Sequence, residues 1–129
     1  MAVTRPNPIF STLAILCACV AAGSASAASP DGIWMRGDGN AKVEFGPCGD
    51  KLCARNLWIK DTSHGEAAGD KLIMTLHPQS ATTLIGMAYD PKRDRSYSVT
   101  LTIGDGHMVT RGCIAAGLLC KSVHWTLAK

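Results

Sequence analysis

The chain has 129 residues, 47% of them hydrophobic and 18% charged, with a formal net charge of +3 at pH 7. Apart from an N-terminal leader, this length builds one domain around one core and excludes a large multidomain protein. The positive charges are scattered, and no basic stripe accompanies an aromatic platform, so the composition argues against nucleic-acid binding.

Residues 1–27 have the pattern of a cleaved export signal, which would be helical. Arg5 supplies a positive start, residues 9–22 form an apolar run, and Ala25-Ser26-Ala27 gives the small-residue pattern of a cleavage site. The apolar run is too short and too rich in small residues for a convincing membrane span. We therefore predict one mature domain, residues 28–129, that is periplasmic or secreted and has no transmembrane span after processing.

A second interpretation of this leader stays open. Leu16-Cys17-Ala18-Cys19 weakly matches a lipoprotein-processing pattern, although Cys17 stands where a small or aliphatic residue is usual. If that pattern were used, Cys19 would carry lipid, and the protein would be anchored to a membrane instead of free.

The predicted mature chain keeps an even number of cysteines, namely Cys48, Cys53, Cys113 and Cys120. In an exported protein this composition predicts disulfide bonds. We favour Cys48–Cys53 and Cys113–Cys120, because residues that face each other across a hairpin have Cα atoms within disulfide reach. A single four-thiolate zinc site is the weaker alternative, since the spacings are longer than usual and the compartment is oxidising.

A period of two dominates the mature chain and predicts short β-strands. It is clearest in residues 96–103, where serine and threonine alternate with Tyr97, Val99, Leu101 and Ile103. No helix is predicted in the mature chain, and residues 61–70 form its one long loop. Strands are predicted over residues 32–35, 41–45, 55–60, 71–77, 82–89, 96–103, 107–112 and 123–127.

Seven or eight short strands separated by close turns are typical of a sandwich or a barrel. Because successive strands are predicted to be linked by hairpins, we favour an all-β fold, a small antiparallel up-and-down barrel. Its interior would be just wide enough for side chains or one small apolar ligand. For the tryptophans we favour ordinary core packing over a lining role. The candidates for lining such an interior are large aromatic residues: Trp34, Trp58, Tyr89, Tyr97 and Trp125.

No catalytic constellation is recognisable. The four histidines show no metal-ligand spacing, and the chain has no nucleophile elbow or triad order. Lys92-Arg93-Asp94-Arg95 follows the turn signal Asp90-Pro91 and is interpreted as a solvated hairpin tip. The sequence therefore predicts a protein that is not an enzyme and has no cofactor or metal. An active site assembled from His, Asp and Tyr at a barrel mouth is the remaining alternative.

Several motifs together resemble a family of small exported bacterial proteins known as domain of unknown function 2147. The resemblance covers nearly the whole mature chain and implies a lipocalin-like barrel with no established activity. Its motifs are Gly32-Ile33-Trp34, residues 47–53, Gly86 with Tyr89-Asp90-Pro91 and Tyr97, Arg111-Gly112-Cys113, Leu119-Cys120 and Trp125-Thr126.

The chain departs from the family pattern in its middle segment, which is shortened to residues 61–70, and at single positions. Ala54 replaces a glycine, Leu84 a tryptophan, and Leu127 an arginine. A family site built on the longer segment or on that arginine would be absent here. The favoured function is a non-catalytic periplasmic module that binds a small apolar or amphipathic ligand. The alternative is a structural or interaction module that meets another protein of the cell envelope.

Overall fold

The computed structural model of the protein describes residues 2–4, 14–19 and 28–128. From residue 32 onward the chain is a succession of eight antiparallel strands. Their bounds are β1 Gly32–Arg36, β2 Ala41–Cys48, β3 Lys51–Ile59, β4 Lys71–Pro78, β5 Thr83–Asp90, β6 Arg95–Ile103, β7 His107–Ile114 and β8 Leu119–Ala128. The described residues contain no helix that is long and apolar enough to cross a membrane.

The eight strands form a closed barrel in which each strand pairs with its neighbours along the chain. Closure is made by β1 and β8, which pair antiparallel with Trp34 opposite Leu127. The Gly37 N–H extends this seam by donating to the His124 carbonyl at 2.7 Å. Closure leaves no strand with an unpaired edge, which is how a small sheet protein avoids pairing with other chains. The predicted all-β meander barrel is confirmed.

Alternation along each strand separates a buried face from an outer one. On β6, Val99, Leu101 and Ile103 are buried, while Ser98 and Thr102 are exposed, as the period of two predicts. Among the described residues, thirteen hydrophobic side chains form the buried core: Trp34, Ala41, Val43, Phe45, Ala54, Ile59, Met74, Ala88, Val99, Leu101, Ile103, Met108 and Trp125.

The two ends of the barrel differ. At one end, called here the closed end, the connections are residues 49–50, 79–82 and 104–106, and the chain enters there. The Trp34 indole N–H donates to the Pro30 carbonyl at 2.8 Å, and the Ala28 N–H donates to the Ala81 carbonyl at 2.8 Å. These bonds hold the entering segment across the closed end. The opposite end, called the mouth, carries the connections 37–40, 60–70, 91–94 and 115–118.

Both predicted disulfides are confirmed, Cys48–Cys53 on the β2–β3 hairpin and Cys113–Cys120 on the β7–β8 hairpin. Their Cα atoms are 5.7 Å and 4.1 Å apart, as hairpin neighbours should be. The first bridge lies at the closed end and the second at the mouth, so each staples a different end of the barrel.

The strands of both disulfide-bonded hairpins are longer than predicted. β2 ends at Cys48 instead of residue 45, and β7 ends at Ile114 instead of residue 112. The structure begins β3 at Lys51 instead of residue 55, and begins β8 at Leu119 instead of residue 123. In both cases the disulfide-bonded hairpin extends the ladder beyond the last alternating apolar residue. The predicted signal helix and cleavage site fall in residues 1–27, most of which lie outside the described residues, including the cleavage site itself.

Candidate functional site

A cavity of about 590 Å³ occupies the mouth half of the barrel. This volume lies within the range of about 300–1,000 Å³ that is usual for small-molecule sites. Trp34, Leu101 and Met108 fill the closed end and do not border it. The deep wall is apolar and comes from six strands: Val43, Phe45, Ala54, Leu72, Met74, Ala88, Val99, Val123 and Trp125.

The wall holds its aromatic residues in fixed positions. Trp125 packs edge-to-face on Phe45 with ring centroids 5.5 Å apart, and its indole N–H donates to the Thr110 hydroxyl at 3.0 Å. A buried indole with its one polar hydrogen satisfied presents an apolar face without an uncompensated donor. This wall can therefore accept an apolar group.

The rim of the cavity is charged. Arg36 ends β1 and lies on the inward face two residues after Trp34, and its side chain is only 17% exposed. Its guanidinium donates to both carboxylate oxygens of Glu66, at 2.7 Å and 2.8 Å, and its Nε lies 3.0 Å from Asp38. This fork-to-carboxylate geometry is the strong form of a charged hydrogen bond. The hydrogen bond from Arg36 holds the pKa of Glu66 below its usual value.

On the opposite side of the mouth, Asp70 and Asp90 each pair with a cationic side chain. Lys92 Nζ lies 3.0 Å from Asp70, and the Arg93 guanidinium donates to Asp90 at 2.9 Å. Burial raises the pKa of Asp70, but the hydrogen bonds that it accepts from Lys92 and from the Ala67 N–H outweigh burial, so the pKa is lowered. Each of the three carboxylates that border the cavity thus has a cationic partner.

The loop of residues 61–70 crosses the mouth and is tied on both sides. On the β1–β2 side, the Asp61 N–H donates to the side chain of Asn40 at 2.8 Å, and Asn40 donates to Glu66 at 3.3 Å. On the β5–β6 side, Lys92 and Arg93 both donate to the Gly65 carbonyl. The predicted hairpin tip Lys92-Arg93-Asp94-Arg95 is a turn that leads into β6 at Arg95, but two of its cations contact the loop instead of being only solvated.

Two further lysines border the cavity, and among the described residues neither makes an ion pair. Lys121 lies on the inward-facing row of β8, two residues before Val123 and four before Trp125. Lys71 begins β4, the strand diametrically across the barrel. Lys71 is opposite the exposed Arg55 and so lies on the outer row of its strand. Arg36 is shared between Glu66 and Asp38, and the charge of Lys121 acts on Asp38, so the cations and carboxylates at the mouth are balanced.

The candidate lining residues fall into three places. Tyr97 and Trp125 border the cavity. Trp34 is buried at the closed end, away from it. Trp58 and Tyr89 are more than a third exposed, and the Tyr89 hydroxyl donates to Asp94 at 2.8 Å outside the barrel. The structure therefore brings two of the five aromatic candidates together at the cavity.

The four histidines do not come together in one site. His64, His77, His107 and His124 are all exposed and lie on separate elements. Within residues 2–4, 14–19 and 28–128 there is no group of three or more His, Cys, Asp or Glu side chains that could hold a metal ion.

Sequence reasoning missed the charged rim. The sequence did contain a sign of this rim. Arg36, Asp90 and Lys121 each lie two positions from an inward-facing apolar residue of the same strand, and so fall on the inward face themselves. Arg36 follows Trp34 by two residues, Asp90 follows Ala88 by two, and Lys121 precedes Val123 by two. A charge on the core face at the end of a strand is expected only at a rim or in a compensated pair. Glu66 gave no such signal, because it lies in a loop.

The fold and the cavity define a class of protein. It is an eight-stranded meander barrel whose cavity opens at one end, with an apolar deep wall and a charged rim. The chain belongs to the family described as uncharacterized protein conserved in bacteria (DUF2147), whose model matches residues 32–127. The resemblance predicted from the sequence is thereby confirmed. A search of curated proteins and a search of solved structures each gave no significant match.

Proposed function

We propose that this protein is a non-catalytic binding module that holds a small amphipathic ligand inside its barrel, in the periplasm or outside the cell. The observation that carries the proposal is the cavity of about 590 Å³, which joins an apolar wall to a charged rim. An apolar chain would be buried against Phe45, Met74 and Trp125. Burial of apolar surface supplies about 25 cal/mol per Å² removed from water.

The rim chemistry supports binding without catalysis. A general acid or base needs a pKa tuned towards the working pH. Here Glu66 and Asp70 have their pKa values lowered by cationic partners, so both stay ionised at neutral pH and are already engaged. Asp90 accepts from the Lys92 and Arg93 N–H groups and caps its own turn. These groups serve to hold the loop and to orient a polar head.

The compartment is inferred from the leader and the cysteines. Two disulfides within one small domain are typical of proteins that fold in an oxidising environment. The export pattern of residues 1–27 supports the same placement.

Filling the cavity tests the proposal. Ala88 is buried on the inner face of β5 and borders the cavity, while its neighbour Met87 is half exposed on the outer face. Ala88→Leu should weaken binding of an environment-sensitive apolar fluorophore at least about tenfold, whereas Met87→Leu should leave it unchanged. Native mass spectrometry of the protein purified from its host should show a bound small molecule. If the fluorophore binds both variants like the wild type, the cavity is not a binding site.

One observation favours a second candidate, a module that docks on another envelope protein. Leu118 and Leu119 at the tip of the β7–β8 hairpin are 84% and 62% exposed, and Ile114 beside them is also exposed. Exposed apolar residues grouped at one tip are common at protein contacts. Crosslinking from position 118 in intact cells should trap one reproducible protein under this hypothesis, and only lipid or nothing under the first.

A further inference from the structure

We infer that Glu66 occupies the place of the ligand's own head group, and that the ligand is a long-chain carboxylate whose carboxylate exchanges with that of Glu66 on Arg36. This inference rests on the proposed function and names the class of ligand for the same cavity.

The donors around Glu66 form a carboxylate site. Arg36 offers two parallel N–H groups at 2.7 Å and 2.8 Å, and Asn40 Nδ2 adds a third donor at 3.3 Å. The Arg36 Nε is held by Asp38, which fixes the plane of the guanidinium independently of Glu66. A planar two-oxygen anion is the group that such a fork fits.

The same guanidinium borders the apolar cavity. A chain lying along the wall of Phe45 and Trp125 would therefore reach the rim with its head beside Arg36. Lys121 also borders the cavity, and its charge acts on Asp38 beside Arg36. A neutral head would gain nothing from the charge of the Arg36 guanidinium.

Release of Glu66 needs little rearrangement of the loop. The neighbouring backbone is held by other bonds, from Asn56 to the Ala67 carbonyl, from Ala67 N–H to Asp70, and from Lys92 to Gly65. Only the Glu66 side chain must turn away into solvent, where it is already 32% exposed. Glu66 is then a tethered competitor, which reduces the apparent affinity by the fraction of time that it covers Arg36.

The two partners of one ion pair should therefore respond in opposite directions. With decanoate as the probe, Glu66→Gln should tighten binding about tenfold, because the competitor has lost its charge. Arg36→Gln should weaken decanoate binding about tenfold or more, because the fork is gone. Decanol, the neutral probe of the same chain length, should bind the wild type and both variants within about threefold.

The outer wall supplies a matched control. Arg55 and Glu44 form an ion pair at 3.3 Å on the exposed face of the β2–β3 ladder, away from the cavity. Arg55→Gln and Glu44→Gln should leave the binding of both probes unchanged. If Arg36→Gln does not fold, Arg36→Lys keeps the charge but loses the fork, and should still weaken decanoate binding more than decanol binding.

The outcomes distinguish exchange of carboxylates at Arg36 from ligand binding in the cavity. If both Arg36 and Glu66 variants change decanoate and decanol binding in the same direction, the pair is only structural and the inference is overturned while the proposed function stands. If decanol binds but Glu66→Gln leaves decanoate unchanged, the exchange is overturned in the same way. If neither probe binds any form of the protein, the proposed function fails and the inference falls with it.

Discussion

Gly86 on β5 packs directly against the main-chain carbonyl of Thr75 on β4. A Cβ atom at position 86 would overlap that carbonyl oxygen and would also lie within 3.1 Å of the Leu76 Cα. The neighbouring strand is backbone, which cannot turn aside as a flexible side chain can. The position therefore requires glycine for space, since its φ is not positive.

Gly86→Ala should lower the free energy of unfolding by about 3 kcal/mol, the upper range for overpacking a closed interior. Urea unfolding followed by tryptophan fluorescence measures the change. Gly112→Ala is the matched control, since Gly112 also lies in a strand but has no atom within 4 Å of an added Cβ. Equal losses in both variants would contradict the role of the Thr75 carbonyl.

Two alanines at the tip of the β7–β8 hairpin have a left-handed backbone. Ala115 has φ 53° and Ala116 has φ 54°, a region that costs an L-residue about 1–2 kcal/mol. Ala116→Gly should raise the free energy of unfolding by about 0.5 kcal/mol, after the greater flexibility of glycine in the unfolded chain is subtracted.

The control for this change is Ala81→Gly, because Ala81 is exposed and is not among the residues with positive φ. It should lower stability slightly. Thermal unfolding by circular dichroism resolves the two signs. A destabilised Ala116→Gly protein would show that the hairpin tip is not strained in solution.

Each disulfide closes a short loop and should contribute modestly to stability. The bonded cysteines are separated by 5 and 7 positions. Loops of this length are worth about 2 kcal/mol each in the chain-entropy model. Paired replacement by serine at Cys48 and Cys53, or at Cys113 and Cys120, should lower the free energy of unfolding by that amount and leave the barrel folded. Loss of the β-sheet circular dichroism signal in either variant would show that the ladder cannot close the hairpin by itself.

The Glu66–Arg36 pair should make stability depend on pH in the acid range. The pKa of Glu66 in the folded protein lies below its ordinary value of 4.5. A lowered folded pKa adds stability above the ordinary value, and that stability is lost as the pH falls through the folded pKa.

Glu66→Gln should therefore cost about 0.5–1 kcal/mol at pH 7 and clearly less at pH 3, because the stability that comes from a lowered pKa shrinks as the pH falls below the ordinary value of the group. Urea unfolding at the two pH values gives the comparison. Glu44→Gln, in the exposed pair with Arg55, should change stability by less than about 0.5 kcal/mol at both. An equal cost for Glu66→Gln at pH 7 and pH 3 would contradict the lowered pKa.

Much of the fold could be predicted because its signals are local. The alternation of residues 96–103 fixes which side of β6 is buried, whatever the strand pairs with. The spacing of Cys113 and Cys120 across a turn is also a local property, and so the hairpin disulfide could be predicted without knowing the rest of the barrel.

The candidate site could not be predicted in the same way. Glu66 meets Arg36 only because the connection from β3 to β4 crosses the mouth to β1, a contact over 30 positions that no local pattern encodes. The charge of Lys121 likewise has meaning only once Arg36 is known to be shared between Glu66 and Asp38.

The sequence by itself determined the strands, their buried faces, the hairpin order and the disulfides, because each depends on residues close together in the chain. Only the tertiary structure decided that the barrel is hollow at one end. Cavity volume is the difference between the space enclosed by eight strands and the side chains that all of them contribute. Here Ala54, Ala88 and Gly112, on three different strands, are too small to fill the mouth half that they line.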